Sequence, residues 1–377
     1  MIIGIDASNI NSGGGITHLT SLIDEITEKD GIYIKIWAPA STLIRIKDAF
    51  FIEKFNNYFL NKNIFFRFFF QIFILSRELK KNKCNILFVP GGTYLGSFKP
   101  FVTMCRNMLP FEKKERDRYK YSLMYFKLLF LRVVQLKTFK KANGVIFLSN
   151  YAQQTIFDLI PKNTLFKKKT EIIPHGINKK FFFNRKVNVL SFKDRSVIKC
   201  VYTSTIDKYK HQNNVIKAVS NLRAKNYKFE LNLIGSSSVA ELNKLKKLLK
   251  KNDPKKKFIF YQGALDTDEI IKIYKDTNLF IYGSTCENLP NILLEKMATR
   301  IPIISSKKEP MKEVLKNGGI YFDAESVLSI EQALLQTINL DQKLYNKAEI
   351  ANSLVANLDW NVTTNKTLGF LRKFAIK

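Results

Sequence analysis

The chain is short of acids. Against 62 lysines and arginines it carries 32 aspartates and glutamates, a net charge of +30 over 377 residues. An excess of that size calls for an anionic partner, and nucleic acid, anionic lipid and phosphorylated substrates all match it. A compositional bias toward Lys, Asn, Ile and Phe explains Lys over Arg, but explains the low acid count less well. Cysteine is also sparse. Cys84, Cys105, Cys200 and Cys286 are scattered without metal-ligand spacing and are compatible with a reducing cytoplasm. Long apolar runs are missing: none approaches the roughly 20 residues of a membrane span. The opening MIIGIDASNI has no basic region and only a brief apolar run, so no secretory signal is expected there. No recognised nucleic-acid motif accompanies the charge.

What is present is ample apolar content, 46% of a chain whose length suggests two domains. The most informative stretch is 278–306, NLFIYGSTCENLPNILLEKMATRIPIISS. The run 279–282 is short, apolar and closed by Gly283, so it predicts a buried strand. A polar loop, 284–288, follows. Pro290 stands where a helix can begin, because a first turn does not need its missing N–H. Ile292, Leu293, Met297 and Ala298 then recur at helical spacing, and Pro302 stops the helix before a strand at 303–305. In parallel sheets ligands bind where such a loop meets such a helix. Two carboxylates mark the place, Glu287 before the helix and Glu295 inside it, with seven residues between them. On residue type alone they read as an acid complementing the helix dipole and a surface glutamate.

Taken whole, the segment resembles the signature of retaining glycosyltransferases of the GT-B fold, in particular the large family 4. That pattern is Glu, seven residues, Glu, with an apolar helix face and a Pro before the next strand. The resemblance implies that Glu287 contacts the donor sugar and Glu295 the ribose of the nucleotide, with Asn288 and Leu289 on the donor side of the same loop.

Other segments fit the same frame. Residues 1–6 predict a first strand and 16–26 a helix, with Gly13, Gly14 and Gly15 consecutive between them. Such a loop lets backbone approach a ligand and offers amides to an anion. The order of the glycines is wrong for a dinucleotide fingerprint, which argues against a dehydrogenase. In the family the loop faces the interdomain cleft, which implies that Gly14 and Gly15 lie near donor phosphate and acceptor. Strands are expected at 32–38, 85–90, 99–105 and 145–149. The segment RNMLPF after the third of these resembles glycosyltransferases of bacterial surface-polysaccharide assembly. Many relatives have a His there; here Arg106 and Asn107 take its place as acceptor or cleft residues. His175, in IPHGI, falls where the family's first domain ends, and reads as a structural neighbour of the turn or as a cleft residue.

The second domain opens with a strand at 199–203 and then STIDKYKHQNN. The family usually has Gly-Arg here and a Lys about five residues on, both binding the donor diphosphate. Aligning Lys210 with that Lys leaves Thr205 where the Arg is expected, with Lys208 as its possible replacement. Asp266-Thr267-Asp268 has the form of a metal-binding triplet, but Glu269 lies three residues after Asp266, which predicts a helix cap.

Two stretches point elsewhere. Residues 50–75 end in IFFRFFFQIFIL. As one helix, Asn63, Arg67 and Gln71 form a single narrow polar stripe, suited to packing in the first domain or to lying on a membrane surface. Residues 105–141 hold eleven basic and three acidic residues and include a helix at 122–141 with apolar residues on one side.

The expectation is therefore an α/β protein with two doubly wound Rossmann-like domains. Residues 1–184 would bind acceptor, 197–356 the nucleotide-sugar donor, and 357–377 would form a helix returning to the first domain, with 179–196 as linker. The resemblance implies a metal-independent, retaining transfer from a nucleotide sugar to a saccharide, in surface polysaccharide or lipopolysaccharide assembly. Lys210 and Glu287 would serve the chemistry, with no cofactor. The acceptor would ride on a lipid diphosphate carrier, the enzyme lying on the inner face of the cytoplasmic membrane against anionic lipid, with no nucleic-acid partner. Two other readings stay open: a non-catalytic basic binder of anionic lipid or nucleic acid, and a sugar-nucleotide epimerase of the same shape.

Overall fold

A computed structural model describes residues 1–11, 13–160, 169–183, 192, 196–340 and 342–376. Two compact units result, one of residues 1–176 with 358–377, the other of 177–357. Most of the linker expected at 179–196 lies outside the described residues.

The first unit is built on a parallel sheet of β1 (Ile2–Asp6), β2 (Tyr33–Trp37), β3 (Ile52–Phe55), β4 (Ile86–Val89), β5 (Phe101–Met104), β6 (Gly144–Phe147) and β7 (Thr170–Ile172). The order is β3-β2-β1-β4-β5-β6-β7, with Ile3 facing Ile34 on one side and Ile86 on the other. Strands buried on both faces need continuous apolar runs, and ILFV and GVIF supply them. The helix Trp360–Arg372 packs on the helix Gly14–Asp24 within this unit. Thr363 donates to the Pro174 carbonyl at 2.9 Å, and Trp360 lies 5.5 Å from the His18 ring.

The second unit carries β8 (Ile198–Thr203), β9 (Phe229–Ile234), β10 (Ile259–Tyr261), β11 (Leu279–Tyr282), β12 (Ile303–Ser306) and β13 (Ile320–Phe322), ordered β10-β9-β8-β11-β12-β13 and all parallel. In both sheets the strand order reverses once, at β1/β4 and at β8/β11, and such switch points open a crevice at the strand C-termini.

Three expectations change. The first helix starts at Gly14, so Gly14 and Gly15 lie in its first turn, and the positive backbone angle falls on Gly13, with φ 62°. The aromatic segment is helical only in its second part. A strand and a short turn come first, and from Ile64 the chain is continuously helical through the helix Ile64–Phe69, a π-helical stretch Phe70–Leu75 and the helix Ser76–Lys81. Its polar stripe turns inward only at the far end: Asn63 is exposed and Arg67 half-buried, whereas Gln71 is fully buried and donates to Asp6 Oδ2 at 2.6 Å and to the Thr93 carbonyl at 3.2 Å. Satisfying the Asp6 end of β1 turns Phe65, Phe69, Ile72 and Phe73 out to solvent. The helix Leu123–Lys141 likewise has apolar residues on both sides. Leu128, Val134 and Phe139 are buried, whereas Leu123, Phe126, Phe130 and Val133 are exposed. The Phe68 and Phe130 rings, 5.8 Å apart, join the two segments.

Candidate active site

In the second unit the loops after β8 and β11 lie side by side at the switch point. The Thr285 amide donates to the Tyr209 carbonyl at 2.9 Å, and His211 Nε2 lies 3.0 Å from Thr285 Oγ1. Gln212 pins the first loop from below, donating to Ser204 Oγ and the Thr205 carbonyl, both at 2.8 Å. Gly283 allows the approach: a Cβ there would meet the Lys210 carbonyl and the Tyr202 hydroxyl at 3.3 Å.

Lys210 and Glu287, 77 residues apart, meet in this crevice, where Lys210 Nζ donates to Glu287 Oε1. Their side chains are 8% and 16% exposed. Burial pulls the Lys210 ammonium down, but the charge and hydrogen bond of Glu287 outweigh it, so its pKa ends above that of an ordinary lysine. Tyr282 donates to the same Glu287 oxygen at 2.7 Å, and Tyr202 donates to the Lys210 carbonyl. Burial first, then the Glu287 charge, keeps the Tyr282 phenol protonated far into the alkaline range. The pair is thus a fixed cation and a fixed acceptor, held by phenols that do not ionise.

Glu295 sits one turn into the helix Asn291–Ala298. No side chain or backbone group bonds its carboxylate among the described residues. Burial raises its pKa to about 7, and the neighbouring Lys296 works against that rise. Asn288 is buried in the loop, and Leu289 is half-buried. Thr205 and Lys208 are exposed on the β8 loop. Asp266 caps its helix as expected, accepting from the Glu269 amide at 2.9 Å while Glu269 accepts from the Asp266 amide. Asp268 pairs with Lys180 at 2.7 Å.

The first unit places its candidates differently. Arg106 donates to the Gly14 carbonyl at 2.6 Å and to that of Gly15 at 3.4 Å, tying the first turn of the Gly14–Asp24 helix. Burial lowers its pKa to about 10. Asn107 is exposed and accepts from the Leu109 amide at 3.0 Å. His175 is 3% exposed, its Nδ1 lying 2.8 Å from that of His18, and burial holds both imidazoles neutral. The packed neighbour is the reading these contacts describe, with the His18 and Trp360 rings against it.

Sequence reasoning passed over Tyr202, Tyr282, Lys296 and Asn291, whose buried Oδ1 has no partner among the described residues. The tyrosines lie at the C-terminal ends of β8 and β11, a position that alone could have marked them.

Residues 185–352 match the family described as Glycosyl transferases group 1. A search of curated proteins finds no match. Among solved structures, the chain is similar to a sucrose-phosphate synthase from Thermosynechococcus elongatus, at 12% identity and a TM-score of 0.79 over 99% of this chain and 98% of that one. A glycosyltransferase from Rickettsia africae is 18% identical, with a TM-score of 0.69 over 99% and 98%. Anabaena HepE, solved in complex with UDP-glucose, is 13% identical, with a TM-score of 0.71 over 99% and 100%. The fold is that of the GT-B glycosyltransferases.

Proposed function

We propose that the chain, whose residues 185–352 match a glycosyltransferase domain, is a retaining, family 4 glycosyltransferase that moves a sugar from a nucleotide to a saccharide hydroxyl. The observation that carries this reading is the meeting of Lys210 and Glu287 at the β8/β11 switch point. A nucleotide-sugar donor leaves as a diphosphate, and a buried ammonium there stabilises the charge as it develops. The bond between the anomeric carbon and the phosphate oxygen breaks, with the electron pair leaving on the diphosphate. The acceptor oxygen attacks the oxocarbenium-like carbon from the same face, and its proton passes to the departing phosphate oxygen. Glu287 accepts from sugar hydroxyls, and Glu295, with no hydrogen-bond partner among the described residues, accepts from ribose. Purified protein should release free nucleotide from at least one nucleotide sugar, UDP-glucose first, in the presence of a saccharide acceptor. Failure with every donor would favour the pure binder, and interconversion of free donors without acceptor would favour the epimerase.

We propose further that no metal takes part. Asp266 and Asp268 are committed to a helix cap and an ion pair, which leaves Lys210 and the helix start at Asn291 to meet the diphosphate. Turnover should persist in excess chelator. Complete loss, restored by a divalent ion, would reverse this.

The acceptor we propose is a saccharide on a lipid diphosphate carrier, with the protein peripheral on the inner face of the cytoplasmic membrane. No helix among the described residues is long and apolar enough to cross a membrane. Phe65, Phe69, Phe73, Phe126 and Phe130 are instead exposed on adjoining segments, with Lys62 and Lys127 beside them in sequence also exposed. Each basic residue near an anionic surface contributes about 1 kcal/mol, which adds to partial insertion of apolar rings. The protein should cosediment with anionic liposomes at low salt and release at high salt, because exposed charges are screened. Binding to neither anionic nor neutral liposomes at low salt would remove the membrane from the proposal.

A further inference from the structure

Lys296 is a lysine in a position built for an apolar side chain. It lies on the inner side of the helix Asn291–Ala298 and has no exposed surface. Its Nζ donates to the Ile281 carbonyl of β11 at 3.1 Å, and no carboxylate ion-pairs with it among the described residues. Three rings surround the ammonium, with centroids at 5.6 Å for Tyr202, 5.2 Å for Phe280 and 5.4 Å for Tyr282. Cation–π attraction at that range strengthens when water is excluded. It does not make the site cheap, because burying an ammonium without a counter-charge costs more than burying a methionine of the same length.

Two of the three rings reach the active site. The Tyr282 hydroxyl holds Glu287, and the Tyr202 hydroxyl holds the Lys210 carbonyl. Through them, one ammonium touches the supports of both members of the pair. We propose that Lys296 is a positioning residue of the donor site: its charge fixes the rings of Tyr202 and Tyr282 and thereby sets the Lys210–Glu287 pair for a nucleoside diphosphate. The inference rests on reading that crevice as the donor site.

The charged groups acting on Lys296 are few. Burial pulls it down to about 7; Glu295, on the same helix, holds it up, and Lys210, on the β8 loop, pushes it down. Tyr202 from β8 and Tyr282 from β11 face it as neutral phenols, and Glu287 stands beyond Tyr282. In the free protein the ammonium therefore titrates near neutrality. A dianionic ligand in the crevice favours the charged form, so nucleotide binding near or just above pH 7 draws a proton from solvent. The folded pKa lies below the unfolded one, so Lys296 destabilises the fold fully below about pH 7, and progressively less as pH rises toward the unfolded value.

The test is Lys296→Met, which keeps length and removes charge. The variant should be at least as heat-stable as the wild type, with any gain largest below pH 7. Its kcat should fall at least about tenfold, short of the roughly hundredfold cost of a full ångström of misplacement. The kcat–pH profile should lose its decline above neutrality. Calorimetry with UDP, GDP and ADP in buffers of different ionisation enthalpy should show more proton uptake with the wild type than with the variant near pH 7.5, the remainder in both belonging to Glu295. A wild type that binds no nucleoside diphosphate would overturn the donor site and this inference with it. If the wild type binds, then a variant with unchanged uptake and pH profile overturns the role of Lys296 alone. A variant that is less stable or unfolded does so too, since Lys296 would then serve only the core.

Discussion

Lys210→Met should lower turnover by about a hundredfold or more, the usual consequence of removing one donor from a developing charge. The geometry makes this substitution informative. Lys210 is the group through which Glu287 is neutralised, and it is buried with it. Among the described residues, the substitution leaves the carboxylate only the Tyr282 hydroxyl. Breaking a buried pair from one side typically costs about 3–5 kcal/mol of stability, whereas replacing both partners costs far less. The single variant should therefore lose both activity and heat stability, and the double variant Lys210→Met/Glu287→Gln should recover the stability but not the activity. Thermal unfolding beside saturating-donor kinetics separates the two. A near-native rate in either variant would move the phosphate site elsewhere, with Lys208 next to be tested.

Glu295→Ala should weaken nucleotide binding by about 1.5–3 kcal/mol, the range for a hydrogen bond to a charged group. The carboxylate has no competing protein partner among the described residues, so the loss should appear in affinity without reorganisation elsewhere. A pH signature accompanies it. The Glu295 carboxyl titrates near 7 in the free protein, above its ordinary 4.5. Its folded pKa is raised, so its contribution to stability is intact below about 4.5 and is lost as pH rises toward 7. Removing the group should thus raise the stability of the free protein at pH 7 and leave it unchanged near pH 4.5. Unchanged affinity for nucleotide together with an unchanged stability profile would remove Glu295 from the site.

Much of the fold was legible because its signals are local. Gly283, Pro290 and Pro302 punctuate 278–306, and the apolar runs between them are too short for anything but strands or one short helix. The Asp266 cap was legible for the same reason, since both partners lie within one turn. The Lys210–Glu287 contact was not, because it exists only once β8 and β11 are neighbours. Lys296 drew no reading, because nothing in its spacing marks a lysine folded inward. The aromatic segment left two readings open, packing in the first domain or lying on a membrane surface, because a polar stripe does not say what it faces; Gln71 is claimed by Asp6, 65 residues away.

The first unit is discontinuous in the chain, and that has a consequence for the order in which it is made. A Cβ at Gly176 would lie 2.3 Å from the Trp360 backbone nitrogen, and Trp360 closes over the His18–His175 contact. Everything between those two points, residues 177–357, must leave the ribosome before the closing residues exist. At roughly 5–20 residues per second that is a delay of some tens of seconds at the slow end. For that interval the nascent first unit holds its buried histidines without their indole cover, and its Gly14–Asp24 helix without the partner that packs on it. Chaperone capture of the growing chain would act in that window, on the first unit's residues before 177.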